Sequence, residues 1–343
     1  MRHLLNTLYV TTDDAYLSLD GENVVASSSD RELGRFPMHG LEGIVSFSYR
    51  GASPALMGAC AARGIDLCFM RPNGKFLARV CGETRGNVLL RKEQYRISED
   101  SASSVKLGRN LLIGKLYNCR WVLERATRDH PASVDVEHLK SASERIRISI
   151  TRLRDAQSTD TLRGIEGDAA AEYFGVFDEL ILNRDPAFSF NGRSRRPPLD
   201  NTNALLSFAY ALLGNNCASA LESVGIDPYV GVIHTDRPGR ESMALDLMEE
   251  LRSVVADRFV LSCINNRVVN PSMFDKSESG AVTLNEAGRR VFLKAWQERK
   301  QDKIVHPFLK EKLPWGLVPY VQALLMARYF RGDLDEYPPF LWK

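Results

Sequence analysis

Apolar residues are spaced in two different ways along this chain, and the spacing changes near residue 84. In the first part they alternate and turn. Leu4, Leu5, Leu8, Tyr9 and Val10 lead into Tyr16-Leu17-Ser18-Leu19, and Asp20-Gly21-Glu22-Asn23 supplies a hairpin turn before Val24-Val25-Ala26. Gly43-Ile44-Val45-Ser46-Phe47 and Ile65-Asp66-Leu67-Cys68-Phe69-Met70 read as further strands. Pro72-Asn73-Gly74 turns the second of these into Phe76-Leu77-Ala78-Arg79-Val80. Between them, Ser53 to Arg63 is small and apolar and opens on Pro54, which predicts one short helix.

From residue 85 the period lengthens. Arg85, Arg91, Lys92 and Arg96 punctuate a helical connector closed by Ser98-Glu99-Asp100-Ser101. Helical stripes then predict helices at 103–127, 135–156, 161–182, 202–214, 216–224, 242–257, 284–301 and 316–331. Thr283-Leu284-Asn285-Glu286 reads as a capping box. After residue 100 strand signals are few, Ala281-Val282-Thr283 being the main one. The predicted class is α+β: a β-rich domain at 1–84, a linker at 85–100 and an α-helical domain at 101–343.

Composition narrows the function mostly by exclusion. Hydrophobic content of 44% and charged content of 26% are those of a soluble globular protein. A net charge of +2 means that any nucleic-acid surface has to come from local clustering. Six cysteines are scattered with no zinc-like spacing and read as buried, reduced, small apolar residues. Met1-Arg2-His3-Leu4-Leu5 lacks the core of a signal peptide and no apolar run approaches membrane-spanning length, so a cytoplasmic protein without a membrane partner is expected. No phosphate-binding loop and no nucleophile elbow are present, which argues against nucleotide-driven chemistry and a protein nucleophile.

The segment from Asp227 to Arg252 carries the chemistry. An apolar run delivers His234 to its end, Pro238 and Gly239 turn the chain, and a helical stripe of Leu245, Met248, Leu251 and Val255 follows. Asp246, Glu249 and Glu250 share one face beside that stripe. An imidazole followed by clustered carboxylates suits Mn²⁺ or Mg²⁺; a solvated helix face with a structural histidine has the same spelling. Glu166, between Gly164 and Gly167 at the head of an Ala-rich helix, is either a third acidic ligand or an ordinary first-turn acid. The residues alone leave both readings open.

Arginines suggest a nucleic-acid contact. Arg193, Arg195 and Arg196 lie in a loop between two helices, and Arg237 and Arg240 follow His234. Guanidinium groups on flexible loops suit phosphate, and solubility of an exposed loop would require nothing more. Arg145, Arg147, Arg152 and Arg154 have acids close by and read as a solvated helix face, and Tyr173, Phe174, Tyr210 and Trp296 as core.

Four words in register give the chain a family likeness: Gly164-Ile165-Glu166-Gly167, the run from Arg195 to Tyr210, the run from Gly225 to His234, and Leu245-Asp246-Leu247-Met248-Glu249-Glu250-Leu251-Arg252. The chain resembles the CRISPR-associated spacer-acquisition integrases, the first family of the Cas series, and their order hints at a type I system, subtype I-C. The resemblance covers nearly the whole chain and implies the same division into a β-rich dimerisation domain and a helical catalytic domain. It implies metal ligands at Glu166, His234 and Glu249, with Asp246 as a nearby acid. Glu250 is the competing assignment, and Glu249 is preferred because it follows the helix aspartate by three residues, as in the family pattern. It further implies attack by a DNA 3′-hydroxyl on a phosphodiester, joining a captured protospacer duplex to a CRISPR repeat. The implied partners are DNA, a second copy of the chain, and a small companion, the second Cas protein, in a heterohexamer of two integrase dimers and one companion dimer. Two rivals use the same residues differently: a metal-dependent nuclease on branched DNA, with water as the nucleophile, and a catalytically silent DNA-binding scaffold.

Overall fold

A computed structural model of the chain describes residues 5–29, 31–83 and 88–343. Leu4 of the first expected strand, the expected boundary at residue 84, and Arg85 of the connector lie outside the described residues.

The N-terminal part is built from β1 (Thr7–Val10), β2 (Tyr16–Asp20), β3 (Asn23–Ser28), β4 (Arg31–Pro37), β5 (Gly43–Ser46), α1 (Pro54–Arg63), β6 (Asp66–Met70) and β7 (Phe76–Val80). β2, β3 and β4 form an antiparallel sheet; β1, β5 and β6 run parallel in a second sheet, and β7 is antiparallel at its edge. The strand β4 has no counterpart in the sequence reading because its residues, Arg-Glu-Leu-Gly-Arg-Phe-Pro, are mostly exposed and carry no apolar alternation. The helix α1 starts as its sequence dictates: Ser53 Oγ accepts from Leu56 N at 3.2 Å, and Gly64 closes it in the left-handed region at φ 59°.

The central strands serve two cores. Ile44 and Leu67, neighbours in register, face a small core with Leu17, Val24, Met38 and Leu56. Val45 and Cys68, one residue on, face the helices, where Phe47 meets Phe208 at 5.9 Å between ring centroids. A parallel sheet buried on both faces needs such uniformly apolar strands, and all four residues of β5 are buried.

The helical part contains α2 (Val88–Glu99), α3 (Ser101–Asp129), α4 (Val136–Asp155), α5 (Thr159–Gly175), α6 (Asn201–Ser223), α7 (Ser242–Leu251) and α8 (Arg258–Asn265). After the hairpin of β8 (Phe274–Lys276) and β9 (Val282–Leu284) come α9 (Glu286–Gln301), the hairpin of β10 (Lys303–Val305) and β11 (Lys312–Pro314), and α10 (Val318–Phe330). The two helices expected at 202–214 and 216–224 are one, α6, which runs unbroken through Gly214 while packed against α7 and α10. α6 is long and apolar enough to cross a membrane by length and composition, contrary to expectation, yet 67% of its apolar window is buried inside the protein. The helix expected to end at 257 instead widens into a π-helical turn over Arg252–Asp257 and continues as α8. The cap of α9 is Asn285, which accepts from Gly288 N at 2.9 Å; Thr283 belongs to β9. Of the six cysteines, Cys81 is exposed and the other five are buried; all are free.

Arg79 of β7 ties the two parts together. Its side chain is 5% exposed, and its guanidinium meets Asp66 at 3.3 Å, Glu222 of α6 at 3.2 Å and Glu241 at 3.4 Å, while donating to Asn215 Oδ1 at 2.5 Å. Glu241 immediately precedes α7, so the sheet is anchored to the start of the helix that carries the clustered acids.

A second anchor lies at the other side of α7. Glu250 is fully buried and turns toward the C-terminal segment: its carboxyl accepts from Tyr337 Oη, from Gln322 Nε2 at 2.8 Å and from Phe340 N at 2.7 Å. Asn118 of α3 completes the clasp, donating to Glu250 O and Phe340 O, both at 2.7 Å, and accepting from Trp342 N at 2.9 Å. Gly114 of α3 is necessary for this closeness, since a Cβ there would lie 3.0 Å from Glu250 Cβ and from Pro339 Cβ. Burial pushes the Glu250 carboxyl up to about 7 against the pull of its three donors.

The folded value is higher than that of the unfolded chain, so Glu250 contributes stability at low pH that is lost as pH rises through about 7. Asp257, raised by burial to about 6, adds to the same slope. Thermal melts from pH 5 to 8 are therefore expected to fall less steeply for Glu250→Gln than for the unmodified chain, by at most about 3 kcal/mol over the range. Identical slopes would mean that the three donors keep Glu250 ionised throughout.

Candidate metal centre

Four segments of the helical part bring charged side chains into contact. α3 brings Lys115, α5 brings Glu166, the loop before α7 brings His234, and α7 brings Asp246 and Glu249. Each is placed by local physics.

The His234 loop is wound around one carboxylate. Asp246, fully buried, accepts from Val232 N at 2.7 Å and Ile233 N at 3.0 Å on Oδ2, and from His234 N at 3.0 Å on Oδ1. His234 Nδ1 lies 2.6 Å from the same Oδ1. A carboxylate oxygen at this distance accepts from the ring, so Nδ1 carries a proton and Nε2 is the nitrogen turned toward Glu249. Gly231 makes the cradle possible: a Cβ there would stand 2.9 Å from Asp246 Oδ2 and 2.8 Å from Ser242 Cβ. Arg163 of α5 pins the loop from outside, donating to Ile233 O at 2.8 Å.

Glu249 is the buried centre of charge. Its carboxylate, 4% exposed as a residue, lies 2.5 Å from Lys115 Nζ, accepts from Arg252 Nη2 at 2.7 Å and faces His234 Nε2 at 3.8 Å. Burial alone would raise this carboxyl; Arg252, Lys115 and His234 outweigh it and hold the group well below the usual carboxylate range. Lys115 is buried too, and the charges of Glu249 and Glu166 overcome that burial and raise its ammonium above the ordinary lysine value. Arg252 rests its guanidinium over the Tyr210 ring at 5.0 Å, and Tyr210 donates to Asp257 at 2.6 Å.

Glu166 completes the group from the solvent side, accepting from Lys115 Nζ, with its side chain 25% exposed. It sits two turns inside α5, which begins at Thr159 with Ser158 as its cap, so the first-turn reading does not apply. A Cβ added at Gly164 or at Gly167 would meet nothing within 4 Å.

The structure thus links Glu166 to Glu249 through Lys115, sets Glu249 3.8 Å from His234 Nε2 and places Asp246 behind His234; Glu250, the alternative, points the other way into the C-terminal clasp. The donor set fits a hard-to-borderline divalent cation: two carboxylates, and an imidazole whose nitrogen is oriented by a carboxylate behind it. Glu249 Oε2 is buried with no hydrogen-bond donor in proper geometry, its contact with Lys115 being an ion pair. Among the described residues no three acidic, histidine or cysteine side chains stand at ligand spacing, and Lys115 Nζ pairs with both Glu166 and Glu249.

The arginines divide. Arg193 is part of the interior framework: it donates to Asn203 Oδ1 at 2.6 Å and Ser207 Oγ at 3.1 Å and lies over Tyr210 at 5.2 Å. Arg195, Arg196 and Arg237 are exposed, and Arg240 is half-buried beside Thr235 O. The expected solvated helix face is one: Arg145, Arg147 and Arg152 pair with Glu172, Glu144 and Asp168. Tyr173 and Trp296 are core, as expected, and Phe174 and Tyr210 pack partly buried against it.

Sequence reasoning missed Lys115, Arg163 and Arg252. For Lys115 a signal existed: it stands four residues from both Leu111 and Cys119, on the buried stripe of α3, where a charge is out of place unless it is matched.

Comparison with known proteins gives the chain its family. A family profile described as CRISPR associated protein Cas1 matches residues 8–298. A curated relative, CRISPR-associated endonuclease Cas1 1 of Chlorobaculum tepidum, is 49% identical over 343 residues, the whole of both chains. Among solved structures, a casposase bound to integration product has a TM-score of 0.85 at 21% identity, covering 98% of this chain and 94% of its own. A Cas6-RT-Cas1–Cas2 complex has a TM-score of 0.81 at 20% identity, covering 98% of this chain and 36% of that one; at these identities the likeness is of fold. With a profile spanning both parts of the fold and a half-identical relative of the same length, the chain belongs to the Cas1 family of CRISPR-associated proteins.

Proposed function

We propose that this chain is a metal-dependent DNA integrase that inserts captured DNA into a CRISPR array by transesterification, and that Glu166, His234 and Glu249 bind the metal. The observation that supports the proposal is the contact chain that joins these three side chains, from three separate elements, through Lys115, with Asp246 fixing the imidazole so that Nε2 faces Glu249. A Mg²⁺ or Mn²⁺ ion held there would polarise a phosphodiester and stabilise charge on the oxygens entering and leaving phosphorus.

The chain's own residues do the rest. Glu249 stays ionised at any working pH because Arg252 and Lys115 flank it. Asp246 prevents ring flipping at His234 and keeps its proton on Nδ1. Arg195, Arg196 and Arg237, all exposed, would take DNA phosphates and position the strand. The attacking group is a DNA 3′-hydroxyl: one phosphorus–oxygen bond forms, one breaks, and the proton lost by the attacker is regained by the departing 3′-oxygen. Bond number is conserved, so no nucleotide is consumed.

The structural likeness to a casposase bound to integration product supports joining, and the likeness to a Cas1–Cas2 assembly supports a second Cas protein as partner. The homodimer and the heterohexamer belong to the same proposal. The name endonuclease on the curated relative favours a second reading, in which water attacks in the same site and strands are cut without joining.

With divalent metal, the companion protein and a supercoiled plasmid carrying a repeat, a labelled duplex with free 3′-hydroxyls is expected to become covalently attached to the plasmid. Removing the 3′-hydroxyl is expected to abolish attachment and leave duplex binding intact; changing Glu166 to Ala is expected to abolish attachment and leave duplex binding measured without metal intact. Nicked plasmid with no attached label would establish the water reading; binding with neither product would establish a scaffold.

DNA affinity gives a separate check. Neutralising Arg195 and Arg196 together is expected to weaken binding to every sequence and to reduce the log–log salt slope by about 1.8, at about 0.9 per duplex phosphate contact. An unchanged slope would return the loop to a solubility role. Arg193 is left intact in this variant because its loss would disturb Asn203 and Tyr210.

A further inference from the structure

Lys115 has no part in the ligand set, yet it is the residue that touches both of its carboxylates. Its side chain is 8% exposed, and Nζ pairs with Glu166 Oε1 and with Glu249 Oε2. With Arg252 on Glu249, the two negative charges are matched by two positive ones before any ion is added. A divalent cation between the same oxygens would face an ammonium in van der Waals contact, and both cannot hold that position at once.

The geometry limits where the ammonium can go. Around Lys115 on α3 lie Leu111, Leu112, Leu116 and Cys119, all buried and apolar, and none accepts a charge. The side of the site that reaches solvent is that of Glu166, 25% exposed, and His234, 21% exposed. A lysine is a point charge on a flexible four-carbon arm, suited to a phosphate oxygen in varied geometry.

We propose that Lys115 is a built-in counter-ion: in the free protein it competes with the divalent cation for Glu166 and Glu249, and once displaced it turns outward to contact the substrate phosphodiester. The proposal rests on reading Glu166, His234 and Glu249 as the metal ligands. Its consequence is a site that is closed and neutral at rest. A phosphate that draws Lys115 outward frees both carboxylates, so DNA tightens metal binding, and metal tightens DNA binding by the same factor. The apparent metal affinity of the free protein is lowered by the fraction of molecules in which the lysine bridge is broken.

The test is Mn²⁺ binding to the full chain without DNA, followed by the electron paramagnetic resonance signal of free Mn²⁺. Lys115→Met is expected to bind Mn²⁺ about tenfold tighter or more than the unmodified protein, and Lys115→Arg no tighter than it. Melting temperatures give the same affinities if Lys115→Met is unstable without metal: its gain on adding Mn²⁺ is expected to exceed that of the unmodified chain at every concentration. In the joining assay at saturating Mn²⁺, Lys115→Met is expected to be slower despite its tighter metal. Equal or weaker Mn²⁺ binding by Lys115→Met would overturn the counter-ion role, and unimpaired joining would overturn the phosphate contact. Glu166→Ala in the same titration separates the two levels. Undiminished Mn²⁺ binding by that variant would sink the ligand assignment itself, whatever Lys115 does.

Discussion

An ionised carboxylate buried in a helical interior has to be matched, and around Glu249 the whole site is arranged to match it. Arg252 approaches from its own helix three residues on, Lys115 from α3, and the His234 imidazole from the loop before α7. An unpaired charge at this depth would be prohibitive, so α3, α7 and the His234 loop are fixed relative to one another by the same set of contacts. Asp246 extends the logic outward. By taking three backbone N–H groups and the imidazole, it turns a mobile Gly/Pro-flanked loop into a rigid mount. The neighbouring Glu250 faces the opposite way and locks the C-terminal segment against α3 and α7. Adjacent glutamates on one helix thus do different work because consecutive positions point about 100° apart.

The division of labour between sheet and helices follows from the apolar patterns of β5 and β6. Both faces of these strands are buried, one in the small β-core and one against α6, so the strand-rich part and the helices share packed surface. Arg79 adds a polar clamp from β7 to α6 and to Glu241 at the start of α7. The acids of the site therefore rest on a framework that reaches into both parts of the chain.

What could be read from the chain was whatever repeats locally. The hairpin around Gly21, the Ser53-Pro54 helix start and the stripes of α4 and α10 follow from periodicity and capping, and the structure has them. What escaped depends on tertiary surroundings. β4 is polar and exists because β3 pairs with it, and Gly214 looks like a break yet lies inside a helix held by packing. The site was legible as residue types: Glu166, His234 and Glu249 were named, and the structure connects them in a chain of contacts through Lys115. The counter-charges were not. Lys115 is 51 residues from Glu166 and 134 from Glu249 along the chain, and only its intrusion into an apolar stripe marks it. Arg193 illustrates the converse: it reads as a loop cation for DNA, and the fold spends it on Asn203, Ser207 and Tyr210.

The central claim is that one divalent ion is bound by Glu166, His234 and Glu249, and anomalous diffraction from Mn²⁺-soaked crystals tests it most directly. The account predicts a single Mn²⁺ peak at roughly 2.0–2.3 Å from an oxygen of each glutamate and from His234 Nε2, with Lys115 Nζ moved away from both carboxylates. A peak on Glu250 or elsewhere, or none at saturating Mn²⁺ with the Glu166–Lys115–Glu249 bridge intact, would contradict it.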